Sequence, residues 1–169
     1  MWLRALRLIA GALAGFLFWW FTAPIYNDMM AAAAAQILQL DKRLCGPRAQ
    51  SVERNVFVSP RLCVTPTATI PADQLTYNII LLGALFAMRG RSVLAFLASC
   101  IVVGITHVLS LAVSIESTYA TRSGTWSAQH YSPIEQNLWV GTEFFWRLVG
   151  MFAMVFACWW LAQSSRRIE

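Results

Sequence analysis

Hydrophobic residues in this chain fall into long unbroken runs, with no sustained alternation and no one-sided stripe. Residues 75–115 show the pattern best. Two apolar runs, LTYNIILLGALFAM and VLAFLASCIVVGITHVLSLAVSI, are separated by Arg89, Gly90, Arg91 and Ser92. A link that short makes the runs antiparallel neighbours, a helical hairpin with its arginines at one membrane face. An earlier run follows Arg4 and Arg7 and ends in an aromatic group, Phe16, Phe18, Trp19, Trp20 and Tyr26. Strong helix formers, among them five consecutive alanines, carry it on past Pro24. The predicted first helix covers residues 3–44, bent at Pro24 and stopped by Gly46-Pro47. At about 1.5 Å per residue it is near 60 Å long, so its second half leaves a hydrocarbon core of about 30 Å or lies along its surface. The last helix starts at Ser132-Pro133-Ile134-Glu135, a capping box with proline at the first helical position, and is predicted over 133–163.

The predicted architecture is all-α, with four transmembrane helices at residues 3–44, 71–88, 92–115 and 133–163. An outer segment (45–70) and an outer loop (116–132) join them. Only the outer segment has strand character, and its alternation predicts a β-hairpin turning at Ser59-Pro60-Arg61. Cys45 and Cys63 bracket that hairpin, and outside the cytoplasm they are expected to close it as a disulfide. Gly11 and Gly15 form a GxxxG spacing that lets another helix approach closely.

Composition agrees. The chain is 58% hydrophobic and 12% charged, with mean hydropathy +0.55, far from the roughly 25% charged residues of soluble domains. Its net charge of +5 sits in small groups at the ends of apolar runs, which excludes a nucleic-acid-binding face and sets orientation. Arg4/Arg7, Arg89/Arg91 and Arg166/Arg167 mark one side, so the positive-inside rule puts both termini in the cytoplasm. The amino-terminal run lacks a small-x-small cleavage site and is read as a retained anchor.

Ionisable residues at membrane depth are candidates for function because burying them is costly. Counting helical rise from the span centres brings Tyr77, Asn78, His107 and Arg147 to a similar level, with Glu143 one turn from Arg147. This predicts a polar cluster joining helices 2, 3 and 4. The cluster reads as an interhelical clamp, a substrate or proton pathway, or, through His107, a ligand to a pigment or haem, with Gly104 leaving room for a flat ring. The serines and threonine of helix 3, Ser99, Thr106, Ser110 and Ser114, read as packing contacts between helices. Cys100 lies two turns from His107, too far for a nucleophile and base. Cys158 and His130 have no catalytic company, and neither zinc-protease, nucleophile-elbow nor phosphate-loop motifs are present. No catalytic residue and no metal site are expected.

The stretch WWFTAPIYNDMM leaving helix 1, Leu75-Thr76-Tyr77-Asn78 opening a short helix 2, and the arginine turn into helix 3 resemble the small membrane proteins associated with exosortases, specifically the exosortase H-associated type. The Cys45/Cys63 pair and the outer hairpin depart from that family's pattern. The resemblance implies a non-enzymatic partner of a processing transpeptidase in the bacterial inner membrane. The expected function is therefore an accessory or structural protein, contacting the bilayer and a larger integral membrane partner and needing no cofactor. The alternatives are a subunit of a photosynthetic or respiratory complex touching bacteriochlorophyll, carotenoid or haem, and a small transporter or intramembrane enzyme built on the polar cluster.

Overall fold

The computed structural model describes residues 2–62, 66–89 and 93–164. Helix α1 spans Trp2–Leu38 and passes Pro24 without interruption. It ends six residues before the expected stop, because Asp41 takes the chain out of the helix. The Asp41 carboxylate accepts from the Arg43 backbone N–H at 2.8 Å and caps a short 3-10 turn, Lys42–Leu44. Cys45 and Gly46, both at positive φ, then reverse the chain.

The outer segment is larger than a hairpin. It forms a three-stranded antiparallel sheet of β1 (Arg48–Val52), β2 (Asn55–Ser59) and β3 (Ala68–Pro71), in the order β1-β2-β3. The turn predicted at Ser59-Pro60-Arg61 is not the hairpin turn. Val52 pairs with Asn55, so the chain turns at Glu53-Arg54, with Glu53 at φ 58° in place of the usual glycine. Pro60 has no N–H to give a ladder, and β2 ends just before it. The cross-strand pairs Val56–Ile70 and Val58–Ala68 share one buried face. That face packs on Met30, Ala31, Ala34 and Leu38 of α1. The alanine run thus has a second use, since small side chains let a sheet lie close to the helix.

After β3 come a single turn, α2 (Asp73–Thr76), and α3 (Asn78–Arg89), separated at Tyr77. Helix α4 spans Val93–Arg122, two turns beyond the expected end. The residues predicted as an outer loop instead present Glu116, Ser117, Tyr119 and Ala120 to the core at helical spacing. A short α5 (Thr125–His130) leads to α6 (Pro133–Phe145), whose capping box forms as expected: Ser132 accepts from the Glu135 N–H and Glu135 from the Ser132 N–H. One π-helical turn, Trp146–Gly150, joins α6 to α7 (Met151–Ser164). Gly90, Arg91 and Ser92 of the arginine turn, Cys63, and Arg166 and Arg167 lie outside the described residues.

Three helices are long and apolar enough to cross a membrane, Trp2–Leu38, Val93–Arg122 and Pro133–Gln163. The apolar helix Asp73–Met88 is shorter. Buried residues of α1 begin at Trp19, and those of α4 concentrate from Thr106 onward. One end of the bundle therefore exposes apolar side chains outward, while the other joins the sheet in a core. Two apolar cores result. One gathers the sheet, the second half of α1 and the end of α4; the other gathers Leu82, Leu85, Phe86, Val103 and Val155. Polar side chains form a layer between them.

The α1–α3 contact uses the predicted glycines. A Cβ on Gly11 would overlap Ala87 Cβ and come within 3.0 Å of the Gly83 carbonyl oxygen, and one on Gly15 would lie 3.3 Å from Ile80 Cα. Gly11→Val is expected to cost about 1–3 kcal/mol, the usual range for overpacking. Thermal unfolding in detergent reads this directly, with Ala14→Val, one turn away on an exposed rim, as the control that leaves the midpoint near the parent's.

Candidate functional site

The polar layer begins with His107, whose ring is fully buried. Its Nε2 lies 2.5 Å from Asn78 Oδ1 and its Nδ1 lies 2.7 Å from the Tyr26 hydroxyl. Proton positions follow from the far end of this chain. Asn78 Nδ2 faces the Met151 carbonyl at 3.5 Å, and a carbonyl can only accept. The amide oxygen therefore faces His107, and Nε2 must carry a proton to donate to it. In the neutral ring Nδ1 is then the acceptor, and Tyr26 O–H donates to it. The sequence runs Tyr26, His107, Asn78, Met151, and ties α1, α4, α3 and α7 together.

A second group lies on the side of α6. Arg147 pairs with Glu143 at 2.8 Å, donates to Gln74 Oε1 at 3.1 Å, and lies 3.5 Å from Ser114 Oγ. Arg147 Nε and Trp146 Nε1 are buried without a hydrogen-bond partner among the described residues. The guanidinium is carried on the π turn, which inserts an extra residue into the helix and re-aims the side chains that follow. A third contact, Trp19 Nε1 to Thr76 Oγ1 at 2.9 Å, fixes α1 to α2.

Of the five residues expected in one cluster, Asn78 and His107 meet directly and Glu143 and Arg147 meet directly. Tyr77 does not join either pair. It is 40% exposed and packs edge-on against Phe152. Its expected place beside His107 is taken by Tyr26, which the sequence suggests only as an interface aromatic. The missed signal was a face: Trp19, Ala23, Asn27, Met30 and Ala34 are buried at helical spacing, and Tyr26 borders it. The helix 3 hydroxyls are also less shared than expected. Ser99 donates to Ala95 O and Thr106 to Val103 O, both within α4.

With both ring nitrogens engaged and the ring buried, His107 has no nitrogen left to ligate haem or a pigment in this arrangement. Cys100 and Cys158 are the free cysteines among the described residues. No group of three or more metal-ligating side chains occurs among the described residues.

At the sheet end, Arg43 collects partners from several elements. It pairs with Asp41 at 2.7 Å and Glu135 at 3.2 Å, donates to the His130 carbonyl, and stacks over the Tyr131 ring at 4.0 Å. Tyr131 O–H in turn donates to Glu116 Oε2 at 2.7 Å. Burial pushes the Asp41 carboxyl up, but hydrogen bonds from the Arg43 side chain and backbone outweigh it and hold Asp41 below the ordinary carboxylate range. Burial, followed by the neighbouring Glu116, pushes the Tyr131 phenol well up, so it stays a donor. The network fastens the end of α1 to the start of α6. Opposite it, Arg54 pairs with Asp73 at 3.2 Å and lies 4.1 Å over the Trp20 ring.

No match to a protein family, a curated protein or a solved structure was found for this chain.

Arg147→Met is expected to destabilise the protein by leaving Glu143 buried without its counter-charge. The cost lies between the roughly 0.2–1 kcal/mol of an exposed pair and the roughly 3–5 kcal/mol of a broken buried one. Adding Glu143→Gln should restore part of the lost thermal midpoint, and a double variant no better than the single one would count against the pairing.

Proposed function

We propose that the chain is a non-enzymatic accessory protein of the bacterial inner membrane that packs beside a larger integral partner. In this reading the four apolar helices all span the bilayer, both termini lie in the cytoplasm, and the sheet forms a cap on the outer side. The supporting observation is how the polar side chains between the helices are used. Tyr26, His107 and Asn78 bond across α1, α4 and α3, and Gln74, Arg147 and Glu143 bond between α2 and the α6–α7 helix. Groups spent in this way brace a scaffold. Meanwhile Leu138, Phe144, Phe145, Leu148 and Trp160 on the α6–α7 helix stay exposed, and a Cβ on Gly141 would meet nothing within 4 Å. That face is open to a partner helix.

The exosortase H-associated family supplies the candidate partner class, a membrane-embedded processing transpeptidase, on the strength of the WWFTAPIYNDMM and Leu75-Thr76-Tyr77-Asn78 stretches. Orientation rests on the paired arginines at the expected inner flanks. The cap is proposed to be closed by a Cys45–Cys63 disulfide. Its support is the hydrogen bond from the Leu62 N–H to the Cys45 carbonyl at 3.3 Å, which brings the residue before Cys63 beside Cys45.

Native purification of the tagged protein from its own membranes is expected to retain one large integral membrane protein. Gly141→Trp should reduce that recovery several-fold while leaving the thermal midpoint unchanged. Recovery of the chain alone under conditions that preserve other membrane complexes would refute the accessory reading. For the disulfide, thiol labelling of the oxidised, denatured protein should modify two cysteines, Cys100 and Cys158, and all four after reduction. Four labelled thiols before reduction would remove the bridge.

A further inference from the structure

At the sheet end of the bundle, two carboxyl groups from different elements are in hydrogen-bond contact. Glu116 of α4 is buried and bonds to Asp41, which follows α1. Ionised carboxylates have only acceptor oxygens, so a bond between two of these groups needs a proton on one of them. The other partners of each group show where that proton sits. Asp41 Oδ1 accepts from the Arg43 backbone N–H at 2.8 Å and from Arg43 Nε at 3.0 Å, and Oδ2 lies 2.9 Å from the same Nε. Both Asp41 oxygens are therefore spent as acceptors. Glu116 Oε2 accepts from the Tyr131 hydroxyl at 2.7 Å. The proton accordingly belongs to Glu116, on Oε1, and is given to Asp41.

The titratable and charged groups around this pair come from every element packed there. The end of α1 brings Asp41 and Arg43, the α5–α6 connection brings His130 and Tyr131, α6 brings Glu135, and Tyr119 lies one turn further along α4. Arg43 is the cation of this set, and it is committed to other partners. It holds Asp41 at 2.7 Å and Glu135 at 3.2 Å and lies 4.0 Å over the Tyr131 ring. The Tyr119 hydroxyl donates to the Val58 carbonyl, and the His130 ring stacks on Trp126. Ionising Glu116 would set a second negative charge against Asp41 while the guanidinium is already shared between Asp41 and Glu135.

We propose that the Glu116–Asp41 pair is a proton-operated latch, closed when Glu116 carries its proton and opened by its ionisation, that sets how firmly Tyr131 and the start of α6 are held to the end of α1. The sign follows from the shared proton. Glu116 keeps it at a pH where a free glutamate, with an ordinary pKa of about 4.3, has lost its own. The stabilisation is therefore present on the acid side and is lost as pH rises. Arg43 holds Asp41 below the ordinary carboxylate range, so the accepting half of the latch is still ionised at about pH 5. The latch lies at the level of the sheet, since Tyr119, one turn on, bonds to β2. It is independent of the accessory reading, because it needs no partner protein.

The test is amide hydrogen exchange of the full-length protein in lipid nanodiscs at about pH 5 and about pH 8, read by mass spectrometry and corrected for the intrinsic exchange rate. Peptides covering Thr125 to Glu135 are expected to lose protection about tenfold at the higher pH, the factor of one hydrogen bond to a charged group. Peptides of the α1–α3 seam at Gly11 and Gly83 should stay unchanged. Glu116→Gln has an amide that can donate to Asp41 and accept from Tyr131 without titrating, and should stay protected at both pH values. His130→Gln, which removes the neighbouring imidazole, should keep the parent's response. Circular dichroism and thermal melting establish that each variant is folded; should Glu116→Gln fail to fold, the parent's response and its persistence in His130→Gln decide the matter. Equal protection of the parent at both pH values, a parent-like response in Glu116→Gln, or loss of the response in His130→Gln would overturn the proposal.

Discussion

A histidine cut off from water has to find partners for both ring nitrogens inside the protein, and His107 finds them on two different helices. That requirement organises the bundle. Asn78 must show its oxygen to the ring because the Met151 carbonyl claims its amide protons. Tyr26 must then give its proton inward. Each choice forces the next, so rotation of any one helix by a single residue would leave a buried polar group bare, at a cost of roughly 1–3 kcal/mol or more. Apolar packing alone gives no such penalty, since greasy helices slide past one another with little change in contact. The polar layer fixes rotational setting, and the glycine seam between α1 and α3 fixes separation.

The helices were legible because they follow rules that act locally. Unbroken apolar runs, the Ser132–Glu135 capping box and the Gly11/Gly15 spacing were all read correctly from their own residues. The i, i+4 pair Glu143–Arg147 was readable for the same reason. What failed depended on facing rather than on depth. Helical rise gives the level of a side chain to within a few ångströms, but each residue turns the helix by about 100°, so Tyr77 and Asn78 share a level and look in different directions. Tyr26 was missed because its partner lies 81 positions away. The strand pairing was obscured similarly. Glu53 carries no turn signal, and its left-handed backbone is held from outside by the pairing of the strands on either side and by Arg54 against Asp73 and Trp20.

The end of α4 shows a tertiary context overriding composition. Residues 116–122 are polar enough to read as a loop, yet one face of them meets the sheet, with Tyr119 donating to the Val58 carbonyl at 3.2 Å. A polar stretch stays helical when its few apolar positions fall on the buried side. The same reasoning explains the early stop of α1, where a good cap at Asp41 prevails over helix-forming neighbours.

Helix α1 runs without a break from exposed apolar surface at one end to the core beneath the sheet at the other. There is no linker between the two regions in which a twist could dissipate. Mechanically the helix is a spar joining the two regions, with Pro24 midway along it the point where its own ladder lacks a donor. α4 runs alongside as a second spar, cross-tied by the Tyr26–His107 contact. The two helices and their tie connect the sheet end to the apolar end within one frame.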